Sequence, residues 1–269
     1  MKGRSPMKKT GWILVIGLLL LLSACYSPQS ENTNEKVELT VSAASSMVNA
    51  LEQIGDQFER ENESIEVLFN LGSSGALGQQ IVQGAPVDLY MSAAQDKFDV
   101  VLNKQLIDEN YYTNLLGNEL VLIQSTNTDM KINAFDDLLN KKIKTIAIGT
   151  PETVPAGNYG KQTLETKQLY QKLEKKLVQT KDVRQVLHYV ETGSVEAGLV
   201  YKTDAMQSDS IYIVATANER NHAPIIYPVG VLKDAPNHKQ AVLFYKFLKS
   251  EQAIEIFEEY GFTALRDEE

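Results

Sequence analysis

The sequence predicts an α/β fold with two lobes, in which mixed, mainly parallel sheets carry helices on both faces. Short apolar runs alternate with segments of helical period along the chain, and this alternation is typical of sheets covered by helices. The predicted strands are 38–44, 65–70, 88–92, 119–124, 145–149, 197–201, 211–216 and 225–232. The predicted helices are 46–60, 75–83, 95–104, 135–140, 156–175, 182–192, 238–249 and 251–260.

The first segment of the chain does not belong to this fold. Basic residues at Lys2, Arg4, Lys8 and Lys9 precede an apolar run over residues 12–22, which is shorter than the roughly 20 residues that a membrane-spanning helix needs. A basic start, a short apolar run and a small-residue cleavage site are typical of a secretory signal peptide. We therefore predict a signal peptide over residues 1–24.

Cys25 is the only cysteine, so an exported form of the chain has no internal disulfide. The sequence Leu-Ser-Ala-Cys at 22–25 resembles the bacterial lipoprotein signal. That resemblance implies cleavage before Cys25, acylation of its side chain and anchoring at the outer face of the cell membrane, or its periplasmic side. The polar residues of 25–36 predict a flexible tether.

The remaining chain is long enough for two lobes, and it is acidic. Removing 24 residues from 269 takes away four basic residues and no acidic one, so the formal charge falls from −9 to −13. Nucleic acid is therefore not an expected partner, because its phosphates call for a basic face. We predict one lobe from 37–117 plus 223–269 and a second from 118–222.

Two segments share one arrangement, in which an apolar strand leads through small hydroxyl residues into a helix. The first is 39–46 and the second is 65–75. A helix N-terminus exposes unpaired N–H groups and the positive end of the helix dipole, which favours anions. Two such ends facing each other predict an anion site without a cationic side chain. On residues alone, these serines also fit ordinary helix caps or a turn.

The sequence contains no coherent pattern of the residues that most enzymes use for catalysis. The histidines His188, His222 and His238 lack metal-ligand spacing, and no Gly-x-Ser-x-Gly elbow is present. Gly160-Lys161 lacks the hydroxyl residue and the first glycine of a phosphate-binding P-loop. We therefore predict no enzyme activity, no cofactor and no direct metal-ion ligands.

Six segments of the chain together resemble the molybdate-binding proteins of ABC importers. This resemblance implies a type II periplasmic-binding fold with an oxyanion in the cleft between two lobes. It also implies a monomer that delivers molybdate, or tungstate, to a membrane permease. The six segments, in chain order, are 41–46, 84–93, 116–122, 149–157, 198–205 and 256–262.

The same resemblance implies the site residues. The two serines fall on Ser46 and Ser74, the two backbone amides on Ala156 and Val183, and the tyrosine on Tyr201. Because each serine has a serine before it, Ser45 and Ser73 are the fallback donors.

The surrounding residues agree with these positions. Pro155 suits a first helical turn, which leaves the N–H of the next residue free. Asp182 suits the N-cap of the helix that follows it. Such a donor-only pocket suits a fully deprotonated tetrahedral anion, so we expect the nearby carboxylates to point away and serve caps or salt bridges. These carboxylates are Asp88, Asp96, Asp182 and Asp204.

Three other functions stay open at this point. A receptor for sulfate or another oxyanion uses the same architecture with a different cavity. A secreted hydrolase needs Ser46 or Ser74 as nucleophile with a base such as His188 or Lys161. An adhesion or structural lipoprotein binds no small ligand.

Overall fold

The computed structural model describes residues 36–128 and 130–265. The predicted signal peptide 1–24, the lipidation site Cys25 and nearly all of the tether 25–36 lie outside the described residues. No helix in the described part of the chain is both long and apolar enough to cross a membrane.

Two mixed sheets form the centre of the fold, and helices pack against them, so the predicted α/β class is confirmed. The first sheet has six strands in the order β11-β4-β10-β3-β1-β2. Its strands are β1 (Val37–Ala44), β2 (Ile65–Gly72), β3 (Leu89–Met91), β4 (Ile107–Gly117), β10 (Ile226–Leu232) and β11 (Thr263–Ala264). Strands β2, β1 and β3 run parallel, whereas β10, β4 and β11 add antiparallel pairs.

The second sheet has five strands in the order β7-β6-β8-β5-β9. Its strands are β5 (Leu120–Ser125), β6 (Ile146–Gly149), β7 (Leu177–Thr180), β8 (Ala197–Tyr201) and β9 (Ile211–Thr216). Strands β7, β6 and β8 run parallel, and β5 pairs antiparallel with both β8 and β9. The two sheets take their strands from different stretches of the chain, and the predicted division into two lobes stays a prediction.

Nine α-helices connect the strands within the described residues. They are α1 (Val48–Glu61), α2 (Ser74–Val82), α3 (Gln95–Leu102), α4 (Pro155–Thr166), α5 (Tyr170–Leu173), α6 (Val183–Glu191), α7 (Lys202–Ala205), α8 (His238–Leu248) and α9 (Glu251–Glu259). Short 3-10 helices lie at Ser45–Met47, Phe135–Leu139, Glu174–Lys176 and Glu219–Asn221. Helix α1 buries an apolar stripe that contains Leu51, Ile54 and Phe58, and its Phe58 meets Phe244 of α8 at 5.0 Å between ring centres.

The main differences from the elements predicted from the sequence concern three strands and one helix. Strand β4 was not predicted because its first half is mostly polar and exposed. Strand β7 was not predicted either, because it is half-exposed at a sheet edge. Strand β11 is only two residues long. The predicted helix 156–175 is divided, because Gln168 adopts a left-handed backbone with φ of 58° and ends the first helical run.

Candidate functional site

All five residues predicted to bind the ligand line one cavity between the edges of the two sheets. They are Ser46, Ser74, Ala156, Val183 and Tyr201, and the fallback residues Ser45 and Ser73 line it as well. The contributing strands β1, β2 and β8 all end at this cavity, as expected for α/β sheets, which bind ligands at the carboxyl ends of their strands. The structure thus brings together groups that lie up to 155 residues apart in the sequence.

The cavity is small. Its volume is about 190 Å³. Sites for drug-sized ligands span about 300–1,000 Å³. In this conformation the cavity therefore fits an ion of a few atoms and is too small for a drug-sized ligand.

Ser46 lies in the 3-10 helix that follows β1 and is 8% exposed. Its Oγ lies 3.0 Å from the hydroxyl oxygen of Tyr227, a buried residue of β10. The neighbouring Ser45 is equally buried, and its hydroxyl has no hydrogen-bond partner among residues 36–128 and 130–265. Both serines of this pair are therefore close enough to the cavity to serve a ligand.

Ser74 begins helix α2 and is fully buried. Its Oγ accepts a hydrogen bond from the backbone N–H of Ala93 at 2.9 Å, and its carbonyl oxygen accepts one from the Tyr90 hydroxyl at 2.7 Å. The Ser74 hydroxyl proton finds no acceptor in the described part of the chain, so it can donate to a ligand. Ser73 precedes it at the N-cap position, but its side chain makes no cap hydrogen bond.

The two predicted amides lie at the beginnings of helices α4 and α6. Pro155 is the first residue of α4, and Ala156 follows it. Asp182 caps α6 by accepting from the N–H of Gln185 at 2.9 Å, and Val183 is the first residue of that helix. The backbone N–H groups at these positions have no intrahelical acceptor, and each helix directs the positive end of its dipole toward the cavity.

Close packing holds the beginning of α4 against the end of β6. A Cβ atom at Gly157 would lie 1.9 Å from the carbonyl oxygen of Gly149, which no side chain tolerates. Glycine at position 157 therefore lets the first turn of α4 approach the sheet, and this contact sets the position of the Ala156 N–H.

Tyr201 is the last residue of β8, and its side chain is 1% exposed. Its hydroxyl lies 3.4 Å from the carbonyl oxygen of Ala93, at the long end of the hydrogen-bonding range. Burial, with a smaller contribution from nearby Tyr227, raises the pKa of Tyr201 well above its ordinary value. The phenol therefore keeps its proton at neutral pH and is available as a donor.

No charged side chain lines the cavity within the described residues. Three of the four nearby carboxylates serve structural roles, as predicted. Asp88 accepts from the N–H groups of Thr40 and Asn237, Asp96 lies 3.1 Å from Lys97, and Asp182 caps α6. The local field at the cavity thus comes from aligned N–H groups, although the protein as a whole is acidic.

The fourth carboxylate, Asp204, is buried and makes no salt bridge in the described structure. Its oxygens lack a hydrogen bond of good geometry, and only the Tyr201 backbone N–H, at the N-cap of α7, interacts with it weakly. Burial raises its pKa to about 7, and the charge of Arg184 opposes this rise only in part. Nothing in the sequence around Asp204 signals this environment.

Sequence reasoning also missed a hydrogen-bond network behind Ser46. The side-chain Nδ2 of Asn118 donates to the hydroxyl oxygens of Tyr227 and Thr203 at 3.1 and 2.9 Å. These residues are far apart in the chain, so no local spacing predicts the network. Candidate signals were available at Asn118 and Thr203, which lie in two of the segments that carry the family resemblance.

The geometry gives no support to a hydrolase. Ser46 contacts a tyrosine hydroxyl and Ser74 contacts a backbone N–H, and neither serine hydrogen-bonds to a histidine or lysine in the part of the chain described. His188 packs beside Tyr189, and Lys161 lies over the ring of Tyr170. Within the same residues, no group of three or more His, Cys, Asp or Glu side chains could hold a metal ion.

Comparisons with known proteins give consistent results. A profile of the family described as bacterial extracellular solute-binding protein matches residues 39–263. The chain is 47% identical to a Bacillus subtilis protein provisionally named as an ABC transporter substrate-binding lipoprotein, and the match covers 94% of this chain and 97% of that one. It is 39% identical to the molybdate-binding protein ModA of Escherichia coli, over 84% of this chain and 89% of the relative.

A solved structure agrees with these matches. The substrate-binding domain of a provisionally assigned molybdenum ABC transporter from Clostridium difficile is 39% identical to this chain. It superposes with a TM-score of 0.66 and covers 86% of this chain and 100% of its own.

Proposed function

The chain belongs to the family of bacterial extracellular solute-binding proteins, and from this premise we propose that it binds molybdate, and tungstate alike, for an ABC importer. Members of this family bind solutes and are not enzymes. The ligand, its delivery to a permease and the anchoring of the chain through Cys25 are parts of the proposal.

One observation carries the choice of ligand, namely that the cavity presents hydrogen-bond donors with no charged side chain. Ser46, Ser74 and Tyr201, each with a hydroxyl group, line it together with Ala156 and Val183, whose N–H groups lie in the first turns of α4 and α6. Molybdate carries two negative charges and only acceptor oxygens near neutral pH. Hydrogen bonds to a charged group contribute about 1.5–3 kcal/mol each, so five of them favour tight binding even after desolvation and ordering are counted.

The same donors explain the expected selectivity. Hydrogen phosphate carries a proton that needs an acceptor, and the cavity has no carboxylate to provide one. Sulfate has the charge and shape of molybdate but is smaller, so its rejection depends on cavity size. Tungstate is nearly the same size as molybdate and is expected to bind similarly.

Calorimetric titration of the mature chain, beginning at residue 25, tests the proposal. Molybdate and tungstate are expected to bind with similar dissociation constants, and sulfate and phosphate at least a hundredfold more weakly. Thermal melts give a second readout, because ligand at a thousand times its dissociation constant stabilises the folded state by about 4 kcal/mol.

The outcomes separate the alternatives. Sulfate binding as tightly as molybdate would replace the proposal with a general oxyanion receptor. Absence of binding by all four anions would reject an oxyanion receptor altogether. Phosphate displacing molybdate at comparable concentration would contradict the donor-only account of the cavity.

A further inference from the structure

A chain of hydrogen bonds runs from the protein interior to the Ser46 hydroxyl at the cavity. Asn118 Nδ2 lies 3.1 Å from the Tyr227 hydroxyl oxygen, and that oxygen lies 3.0 Å from Ser46 Oγ. Tyr227 is 1% exposed, and its ring packs edge-on against Tyr201 and Phe262. Neither Tyr227 nor Asn118 lines the cavity, so neither contacts a ligand there.

The orientation of the Asn118 amide determines which atoms donate and which accept along these hydrogen bonds. The backbone N–H of Glu119 lies 2.8 Å from Asn118 Oδ1, and an N–H can only donate. The amide oxygen therefore faces Glu119, which leaves the amide nitrogen facing Tyr227 and Thr203. An amide NH₂ group has donors and no acceptor.

The amide orientation determines where the Tyr227 proton points. Because Asn118 donates to the phenol oxygen, the phenol proton cannot point back toward the amide. Two partners of this hydroxyl remain within the described residues: Ser46 Oγ at 3.0 Å, and the Tyr201 hydroxyl as a weaker one. Burial raises the pKa of Tyr227 well above its ordinary value, so the phenol stays protonated. Because Ser46 Oγ is the stronger partner, we assign Tyr227 as the donor and Ser46 as the acceptor in their hydrogen bond.

We propose that Tyr227 and Asn118 are positioning residues that hold Ser46 as a hydrogen-bond donor toward the anion, an inference that rests on the proposed function. With the Tyr227 proton on one lone pair of Ser46 Oγ, the serine proton is excluded from that direction and remains available for the cavity. The Ala93 N–H occupies a lone pair of Ser74 Oγ in the same way. Both serines are thus oriented by a donor from behind, and the successive hydrogen bonds polarise the Ser46 O–H.

This arrangement adds to the preference for an anion without protons. A serine hydroxyl free to rotate can either donate or accept, and it can therefore adapt to a protonated anion. The Tyr227–Asn118 pair occupies one lone pair of Ser46 Oγ and excludes the serine proton from one of its three staggered positions, so a larger share of the remaining orientations donates into the cavity. Loss of the pair is expected to weaken molybdate binding and to narrow the ratio of molybdate to phosphate affinity.

A double-mutant cycle in the mature chain tests the inference, because coupling appears only between residues that act through each other. The variants are Tyr227→Phe, Ser46→Ala and the double variant, each titrated with molybdate and phosphate by calorimetry. Tyr227→Phe is expected to weaken molybdate about tenfold with Ser46 present and less than twofold with Ser46→Ala. Equal losses in both backgrounds would overturn the inference, as would an unchanged affinity in Tyr227→Phe.

Asn118 provides a second test that does not depend on the tyrosine variant folding. In Asn118→Asp the carboxylate accepts the Tyr227 proton, so the Ser46 proton turns to the phenol oxygen and away from the cavity. Asn118→Asp is expected to weaken molybdate more than Asn118→Ala, by at least tenfold, and this difference should largely disappear with Ser46→Ala. If the difference between the two Asn118 variants persists in full with Ser46→Ala, it reflects the added charge alone, and the reversed hydrogen bond between Ser46 and Tyr227 is rejected.

The control variant is Tyr159→Phe. Tyr159 is also buried, and its hydroxyl donates to the Pro224 carbonyl oxygen at 3.3 Å without contacting either serine. The Tyr159→Phe variant should bind molybdate with an affinity within about twofold of the wild type. If the wild-type chain binds no molybdate, the proposed function fails; if it binds and the cycle is additive, only the positioning role fails.

Discussion

The backbone N–H of Gly75 donates to the carbonyl oxygen of Thr153 at 2.9 Å, and this hydrogen bond connects the first turn of α2 to the loop before α4, beside the cavity. Gly75 lies in the first turn of α2, next to Ser74, and Thr153 immediately precedes the approach to α4. A Cβ atom at Gly75 would lie 2.7 Å from that carbonyl oxygen and 2.8 Å from the Thr153 Cα. The contact therefore requires glycine at position 75.

Substitution of Gly75 by alanine is expected to weaken the proposed molybdate binding by at least tenfold. The added methyl group pushes Thr153 away, and it separates the Ser74 hydroxyl from the Ala156 N–H on the other side of the cavity. The helix itself should not suffer, because alanine is favoured over glycine inside a helix by roughly 0.5–1 kcal/mol. Calorimetry and thermal melts of the Gly75→Ala variant measure the two effects.

Gly117→Ala is a suitable comparison for this experiment. A Cβ atom at Gly117 would meet its neighbours at 3.6 Å or more, which is ordinary contact. This variant should bind molybdate as the wild type does. Equal affinities in the Gly75 and Gly117 variants would show that the contact with Thr153 has no role in binding.

Tyr201→Phe is expected to weaken molybdate binding by a factor of about ten to a hundred. The substitution keeps the buried ring and removes one donor to a charged ligand, which corresponds to about 1.5–3 kcal/mol. Calorimetric titration measures the change directly. An unchanged dissociation constant would mean that Tyr201 is not a ligand of the anion.

Alanine substitutions at each serine pair distinguish the proposed donors from their neighbours. Ser46→Ala and Ser74→Ala should each weaken molybdate at least tenfold, because their oxygens already have partners that orient the hydroxyl groups. Ser45→Ala and Ser73→Ala should change the affinity less than threefold. The reverse order within either pair, measured by calorimetry, would move the donor to the preceding serine.

We expect the buried carboxyl group of Asp204 to make the folding stability depend on pH. Burial raises its pKa from 3.8 to about 7 in the folded state. Between these values the folded chain binds a proton that the unfolded chain lacks, so stability falls as the pH rises from about 4 to about 7. This contribution has a slope of at most roughly 1.4 kcal/mol per pH unit, and it is constant above pH 7.

Urea unfolding between pH 5 and pH 8 measures the contribution of Asp204. The Asp204→Asn variant should lose less stability than the wild type across this range, because its side chain carries no titrating proton. The matched variant Asp56→Asn, which changes an exposed carboxylate of α1, should keep the wild-type slope. Parallel curves for the Asp204 variant and the wild type would contradict the effect of burial.

Much of the fold could be predicted because its signals are local. The apolar stripe of α1, the cap at Asp182 and the proline at the beginning of α4 each act within one or two helical turns, and all three are present in the structure. Strand β4 could not be predicted, because its polar first half pairs with β10 only after the chain has folded. The break at Gln168 likewise depends on a backbone conformation that the residue type does not favour.

The candidate site shows the same boundary between local and tertiary information. Ser46, Ser74, Ala156, Val183 and Tyr201 follow from strand ends, helix beginnings and a family resemblance, which are properties that a single stretch of sequence carries. Only tertiary structure brings them around one cavity and connects Ser46 through Tyr227 to Asn118. It also buries the Asp204 carboxylate without a salt bridge and requires a glycine opposite Thr153. Burial, hydrogen-bond direction and close backbone approach depend on atoms from distant parts of the chain, so the sequence determines which groups are available and the fold decides how they are oriented.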